Sequence, residues 1–241
     1  MTGAYDEIVG LGYDCRLAFN LRRTFGNPRA FPFDWWVTPM PAVAAFLNEP
    51  SVEALYDPRW LEPDIRRGIL YAIRNSRYDI ELHHEFPRGA DGAVVADWPQ
   101  HLGQAQARTD YLLRRMLEPA PGARILFVRY IKGQERREIG ARFQPLVLEI
   151  MGALRALYPH AQPELLLIDP PEGVKAEGIA SLWINDRNKS DWQGTPELWT
   201  ERLRGAGISW SGTAAGTLIE ADPLLDQAAA PLATDAPSAV K

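Results

Sequence analysis

Short apolar runs alternate along the chain with segments of helical periodicity. The runs are nearly continuous in apolar character, which is typical of strands that are covered on both faces of a parallel sheet. They span residues 7–12, 124–131, 164–169 and 181–185. Helices are predicted over residues 15–25, 40–48, 103–118, 138–158 and 196–205. This alternation predicts an α/β fold, a three-layer sandwich with a mainly parallel central sheet.

Two segments depart from this pattern. Residues 50–100 are irregular and rich in Trp, Pro and charge, so we expect an inserted cover or subdomain after the first helix. Residues 222–241 are mostly Ala, Pro, Asp and Leu without periodicity, which predicts a disordered tail. Residues 1–221 are therefore expected to form a single α/β domain.

Composition argues against several classes of protein. The 241 residues carry a formal net charge of -5, which disfavours binding to nucleic acid through its phosphates. No apolar run approaches the roughly 20 residues that cross a bilayer, and the acidic N-terminus does not resemble a signal peptide. We therefore expect a cytoplasmic, bacterial protein that binds neither nucleic acid nor membrane.

The single cysteine of the chain, Cys15, follows the first apolar run at the predicted start of a helix. Asp14 before it is a good N-cap residue. The backbone N–H groups and the positive dipole end at a helix start favour a thiolate, whereas the carboxylate of Asp14 opposes it. The position suits a nucleophile. A lone cysteine is more often a small buried hydrophobe, so a structural, non-enzymatic Cys15 stays an alternative.

The same turn reads Gly10-x-Gly12-x-x-Cys15, a dinucleotide-binding fingerprint with its third glycine replaced. Asp34 lies at the distance where an acid would bind the ribose. A tight turn after the first strand explains the two glycines as well. An alternative hypothesis is therefore a transferase or binding protein that holds a nucleotide sugar or another phosphate ligand at residues 10–15.

A nucleophilic cysteine needs a base, and the chain has four histidines. His160 is predicted in a loop and His101 at a helix start. Residues 80–86 alternate between apolar and polar, which predicts a strand with His84 on the apolar face and His83 on the other. His84 is the favoured base, and His83 is the second choice.

Asp34 is the first candidate for the acid that orients the histidine. It stands in the apolar segment 31–36, where a carboxylate needs a partner. A backbone amide or Arg23 could equally be that partner, which would make Asp34 structural. Glu85 and Asp97 are further candidates for the orienting acid.

Arg129 is a charged residue near the end of a predicted buried strand, where it must be paired or face a ligand. An ion pair with Asp34 or Asp169 is the simpler explanation. In the alternative, functional explanation, Arg129 binds an anionic group of a substrate. No metal site or cofactor is predicted, because His83-His84-Glu85 lacks the spacing of zinc ligands on a helix.

Several motifs together resemble the N-terminal part of a bacterial family of papain-like cysteine peptidases of unknown function. The shared motifs are Leu11-Gly12-Tyr13-Asp14-Cys15, Leu21-Arg22-Arg23, Phe31-Pro32-Phe33-Asp34-Trp35-Trp36, His83-His84-Glu85-Phe86 and Leu126-Phe127-Val128-Arg129-Tyr130. The resemblance implies a Cys15 nucleophile with His84 as its base. The family has Asp where Glu85 stands here. The parallel strands predicted for this chain differ from the antiparallel sheet of papain and are more similar to esterase-like hydrolases of the flavodoxin type.

The sequence thus predicts a thiol-dependent hydrolase or acyltransferase that acts on a small-molecule, peptide or other acyl substrate without a cofactor. The predicted catalytic residues are Cys15, His84 and Asp34. The predicted substrate-binding residues are Gly12, Tyr13, Asp14, Trp35 and Arg129. Backbone amides of the 12–16 turn would stabilise the oxyanion.

Overall fold

The computed structural model describes residues 2–27, 29–188 and 190–212. The tail predicted over 222–241 lies outside the described residues. The strands in chain order are β1 (Gly3–Tyr5), β2 (Glu7–Gly10), β3 (Leu61–Arg66), β4 (Ile69–Asn75), β5 (Ile80–Leu82), β6 (Arg124–Tyr130), β7 (Gln162–Ile168), β8 (Ile179–Leu182) and β9 (Ile208–Trp210). The helices are α1 (Cys15–Phe25), α2 (Met40–Asn48), α3 (Val52–Leu55), α4 (Leu102–Leu117), α5 (Gly133–Ile139), α6 (Phe143–Leu157) and α7 (Pro196–Gly205). None of the helices in these ranges combines the length and apolar character that a bilayer crossing requires.

The centre of the fold is a four-stranded parallel sheet in the order β2-β6-β7-β8. Val9 of β2 stands opposite Phe127 of β6, which stands opposite Leu165 of β7, so apolar side chains form rows across the sheet. These strands are almost continuously apolar because both faces of the sheet are covered. The predicted α/β fold with a mainly parallel central sheet is confirmed.

Helices form a layer on each face of this sheet. Because successive strand residues point to opposite faces, β6 contributes Ile125 and Phe127 to one core and Leu126 and Val128 to the other. The first core is closed by α2, α4 and α6, and the second by α1 and α7. The predicted three-layer sandwich is therefore present.

Helix α1 has the boundaries that its sequence predicts. Asp14 caps it by accepting a hydrogen bond from the Arg16 backbone N–H at 3.2 Å. Gly26 ends it in the left-handed conformation, with φ of 71°. Leu17 and Leu21 bury its apolar face against the sheet. The helix therefore fixes Cys15 at the edge where β2 ends.

The inserted segment contains an antiparallel sheet, β3-β4-β5, beside this edge. Val37 connects that sheet to the turn before α1. Its N–H donates to the Glu81 carbonyl at 3.0 Å, and the Glu81 N–H donates back at 3.0 Å. The next residue, Thr38, donates its N–H to the Tyr13 carbonyl at 3.0 Å. The small sheet is thus held against the turn that carries Cys15.

Three predicted elements differ clearly from the structure, and the first is the strand predicted over 181–185, which runs instead from Ile179 to Leu182. The helix predicted over 138–158 begins only at Phe143, because α5 and a 3₁₀ turn (Gly140–Arg142) precede it and Gly140 has a positive φ of 50°. The strand predicted over 80–86 ends at Leu82, and the following residues form turns. Strand alternation therefore does not determine which way His84 faces.

Candidate functional site

Cys15 is the first residue of α1 and lies at the carboxyl edge of the central sheet, partly buried. The turn before it is packed against the protein itself. Gly12 has φ of 75°, and a Cβ at this position would overlap Thr38 Oγ1. A Cβ at Gly10 would lie 3.3 Å from Asp34 Oδ1. The space beside these two glycines is therefore filled by the protein's own side chains. In a dinucleotide-binding turn, the same space is left for a pyrophosphate.

The thiol of Cys15 is neutral at pH 7. Burial raises its pKa to about 11, and the Asp14 carboxylate adds to the increase, while its own backbone N–H, Lys132 and Arg16 oppose it. Lys132 Nζ lies 3.0 Å from Asp14 Oδ2, so this cation is paired with the capping carboxylate. The position at a helix start does not produce a thiolate here, because the effect of desolvation on the pKa is larger than the effect of the backbone N–H.

Two adjacent histidines lie in the turn after β5. The rings of His83 and His84 pack edge to face with their centroids 4.5 Å apart. His83 also packs on the ring of Tyr71 at 4.6 Å, and His84 packs against Trp35 at 6.1 Å. Burial raises the pKa of Tyr71, and the Glu81 carboxylate adds to the increase. Tyr71 thus joins the histidine pair to strand β4 of the small sheet.

His84 is neutral, and among the described residues no carboxylate is hydrogen-bonded to its ring. Burial lowers its pKa to about 4, and His83, Arg88 and Arg108 act in the same direction. Its neighbour Glu85 is buried elsewhere, since it accepts a hydrogen bond from Trp36 Nε1 at 2.9 Å and pairs with Arg108. In the part of the chain that the structure describes, no hydrogen bond joins a nitrogen of His84 to the Cys15 sulfur.

His83 lies between a carboxylate and a guanidinium. Its Nδ1 lies 3.4 Å from Glu81 Oε1 and accepts a hydrogen bond from Arg88 Nη2 at 3.1 Å. Burial alone would raise the pKa of Glu81. Hydrogen bonding to His83 and the charge of Arg66 nevertheless hold this pKa below its usual value. Sequence reasoning did not select Glu81, although Glu81 and His83 have the i, i+2 spacing that places two side chains on one face of a strand.

Asp34 does not act on either histidine through a hydrogen bond. It lies buried in the 3₁₀ turn Pro32–Asp34, where it accepts from Arg22 Nη2 at 2.6 Å and from the Phe31 N–H at 2.8 Å. The structure thus favours the structural alternative for Asp34, with a backbone amide as one partner. The charged partner is Arg22, not the predicted Arg23.

Arg129 is also engaged inside the protein. It is fully buried, pairs with Glu135, and donates a hydrogen bond from Nη1 to the Leu11 carbonyl at 2.7 Å. An internal ion pair is therefore present, with Glu135 in the place expected for Asp34 or Asp169. Because no part of Arg129 is exposed, it does not offer its charge to a ligand in this conformation.

A cleft of about 360 Å³ lies between Tyr13, in the turn before α1, and the small antiparallel sheet, and its lining includes neither Cys15 nor the two histidines. Tyr13, Val37 and Pro39 line one side, and charged residues of the sheet, including Glu81, line the other. Trp35 is half-buried beside His84. Of the predicted substrate-binding residues, Tyr13 borders this cleft, Asp14 caps α1, and Trp35 contacts a histidine.

The segment after β8 packs on the first two turns of α1. Arg16 donates from Nε to the Trp192 carbonyl at 2.8 Å, and Asn20 donates to the Gln193 carbonyl at 2.9 Å. Trp192 remains 51% exposed and packs edge to face on Phe19, with centroids 5.3 Å apart. Phe19 lies one helical turn after Cys15, so Trp192 forms an aromatic surface on that side.

Comparisons provide no relative from which to transfer a function. The chain matches no protein-family model, and searches among curated proteins and solved structures also give no match. Among the residues that the structure describes, no group of three or more His, Cys, Asp and Glu side chains is arranged to hold a metal ion. The function of the site therefore has to be inferred from its own residues.

Proposed function

We propose that the protein is a thiol-dependent hydrolase or acyltransferase in which Cys15 is the nucleophile and the His83–His84 pair supplies the base. The sequence assigns that base to His84. One observation supports the proposal above the others. The only cysteine begins a helix at the carboxyl edge of the central sheet, and backbone hydrogen bonds from Thr38 to Tyr13 and between Val37 and Glu81 join the turn before it to the strand that leads into the two histidines.

The pKa of the Cys15 thiol in the protein without substrate determines how the sulfur can lose its proton. With a thiol pKa of about 11, about one Cys15 in ten thousand is ionised at pH 7. A preformed thiolate–imidazolium pair is therefore absent, and the proton has to leave the sulfur as the sulfur attacks. General-base assistance of this kind contributes about 10²-fold to 10⁴-fold to a rate.

The reaction then proceeds in two balanced steps. The S–H proton moves to an imidazole nitrogen while the sulfur bonds to the acyl carbon and the carbonyl electrons move onto oxygen. Collapse of this intermediate expels the leaving group, which takes the proton and leaves a thioester on Cys15. Water or an acceptor alcohol or amine attacks the thioester, gives its proton to the imidazole, and the thiol is restored with that proton.

The first backbone amide of α1 is the candidate oxyanion donor. The Arg16 N–H is already used by Asp14 at 3.2 Å, and the Leu17 N–H by the Asp14 carbonyl at 3.3 Å. The N–H of Cys15 itself acts on the sulfur, since it lowers the pKa of the thiol against the larger effect of burial. It is therefore the amide best placed for the oxygen of a carbonyl group whose carbon is bonded to this sulfur.

Acylation of the protein by p-nitrophenyl acetate tests the proposal. We expect one acetyl group on Cys15, detected by intact mass and peptide mapping, together with a burst of one equivalent of p-nitrophenol. Cys15→Ala should abolish both signals. An unmodified Cys15 under conditions that acetylate surface lysines would contradict the proposal.

A structural Cys15 is the second candidate, and the raised pKa of the thiol supports it. In that case Cys15→Ser lowers the free energy of unfolding, because it places a more polar group in a partly buried site. The two candidates differ in one result, since only the first predicts an acetyl thioester at Cys15.

A further inference from the structure

We infer that the cleft between Tyr13 and the small antiparallel sheet binds a ligand that carries a guanidinium or ammonium group on an apolar stem. The volume of the cleft, about 360 Å³, lies within the range of small-molecule sites. The inference goes beyond the proposed thiol chemistry and does not depend on it, because the lining of the cleft includes neither Cys15 nor a histidine.

One wall of the cleft is the polar face of the small sheet. Successive strand residues point to opposite faces, so Glu62 and Asp64 of β3 lie on the same face. Glu62 stands opposite Arg74 of β4, which in turn stands opposite Glu81 of β5. Ile73, next to Arg74 in β4, points the other way and is buried in the core. A row of acid, arginine and acid therefore crosses all three strands on the side of the cleft.

The opposite wall of the cleft is mainly apolar and consists of Tyr13, Val37 and Pro39. Paired backbone hydrogen bonds with Glu81, both 3.0 Å long, hold Val37 against the sheet, and the Thr38 N–H holds Tyr13 through its carbonyl at 3.0 Å. The polar face of an antiparallel sheet is commonly open to water. Here an aromatic ring and a proline stand opposite the charges, so the cleft offers contacts to an apolar stem as well as to a charged group.

The charges of the lining favour a cation. Hydrogen bonding to His83 and the charge of Arg66 hold the pKa of Glu81 below its usual value, so this carboxylate is ionised at pH 7. An excess of negative charge attracts a cation into a cleft and repels an anion. The lining has such an excess, because four carboxylates stand against two guanidiniums: Glu62, Asp64, Asp79 and Glu81 against Arg66 and Arg74.

Both arginines of the cleft are engaged by carboxylates of the cleft itself. Arg66 pairs with two of them, with Asp64 at 2.6 Å and with Glu81. Arg74 pairs with Asp79 at 2.6 Å. Since one guanidinium balances the charge of only one carboxylate, Arg66 leaves a negative charge on its pair of partners. A cationic ligand supplies the positive charge that this set of residues lacks, through charge-assisted hydrogen bonds.

Agmatine, which carries a guanidinium and an ammonium group on an aliphatic stem, is the probe for this site. Titration calorimetry of the full chain at about 20 mM NaCl should show saturable binding, which should weaken as NaCl is raised because salt screens the charges. The uncharged N-acetylnorleucine amide should give no saturable heat. N-acetylarginine amide presents a guanidinium as a peptide does. Its binding would assign the site to a basic peptide side chain, and binding of agmatine alone to a free amine.

Three variants separate ligand binding from a change in the fold. Glu62→Gln removes one of the excess negative charges at an exposed position and should weaken agmatine binding about threefold to tenfold. Arg74→Gln removes a competing cation that is 50% exposed and should strengthen binding by a similar factor. Glu177→Gln, at an exposed position outside the cleft, is the matched control and should leave the affinity within about twofold. Damage to the fold would not strengthen binding.

Two results would overturn the inference. One is the absence of saturable heat with both agmatine and N-acetylarginine amide. The other is an affinity for agmatine that Glu62→Gln and Arg74→Gln leave unchanged or shift in the same direction. Neither result affects the acetylation of Cys15, which uses an uncharged ester, so a failure of this site is distinguishable from a failure of the proposed function.

Discussion

Lys132 Nζ lies 3.0 Å from Oδ2 of Asp14, the residue that caps α1 immediately before Cys15. Burial raises the pKa of the Cys15 thiol, Asp14 adds to the increase, and Lys132 opposes it. Asp14→Asn retains a helix cap and removes the charge, so we expect the thiol pKa to fall from about 11. Lys132→Met should raise it.

The pH dependence of iodoacetamide alkylation reports this pKa directly, because the chain has one cysteine. Asp110→Asn on the exposed face of α4 is a suitable control and should leave the midpoint in place. An unchanged midpoint in Asp14→Asn would show that the carboxylate does not act on the sulfur.

Gly12 should be the glycine of the Cys15 turn that tolerates substitution least. A Cβ here would overlap Thr38 Oγ1, and the residue has φ of 75°. We expect Gly12→Ala to lower the free energy of unfolding by about 3 kcal/mol or more, from strain and overpacking together. Gly26 has a similar φ of 71° but open space around it, so Gly26→Ala should cost only about 1 kcal/mol. Equal losses in urea unfolding would remove the steric explanation.

The ion pair between Arg129 and Glu135 should matter because it is buried. The two side chains are 0% and 2% exposed, so Glu135→Ala would leave a buried charge without its partner. We expect a loss of about 3–5 kcal/mol in chemical denaturation, and a smaller loss in the double variant Arg129→Met/Glu135→Leu. Asp110→Ala breaks an exposed pair with Arg114 and should cost less than about 1 kcal/mol. A double variant that is as unstable as the single one would contradict this account.

Stability should decrease in mild acid because His84 is kept neutral. Burial lowers its pKa from 6.5 to about 4 in the folded protein. Between these values the unfolded chain binds a proton that the folded one does not, so the free energy of unfolding falls as pH is lowered from about 6.5 to about 4. Allowing for partial exposure of the ring, this group accounts for about 2 kcal/mol.

Urea unfolding at several pH values checks the sign and size of this effect. His84→Gln should flatten the dependence in that window, whereas His160→Gln, at an exposed position, should keep it. The same slope in His84→Gln as in the wild type would assign the acid sensitivity to other groups.

The parts of the fold that depend on local signals were predictable from the sequence. Helices α1, α2 and α7 have the predicted boundaries because their start signals are local: Asp14 caps α1, and a proline stands in the first turn of α2 and of α7. The strand predicted through His84 ends early because of contacts distant in sequence. Glu85 is drawn into the core by Trp36, which lies 49 positions away, and such a contact leaves no local pattern.

In the candidate site, too, the features that depend on local signals were predictable and the contacts between distant residues were not. The position of Cys15 at a helix start follows from Asp14 and the preceding glycines, whereas the role of the two histidines stays a prediction. The partner of Arg129 was missed because α5, the short helix that carries Glu135, was not predicted. Asp34 was assigned to a histidine because the sequence shows that a buried carboxylate needs a partner, but not that Arg22 is the partner.

The central claim is that an imidazole removes the proton of Cys15 as its sulfur attacks an acyl carbon. The most direct test is the slope of the logarithm of the Cys15 acetylation rate against pH, from pH 7 to pH 9, with p-nitrophenyl acetate. General-base assistance predicts a slope near zero once the histidine is deprotonated. A tenfold rise for each pH unit, continuing toward the thiol pKa of about 11, would show an unassisted thiolate and contradict the claim.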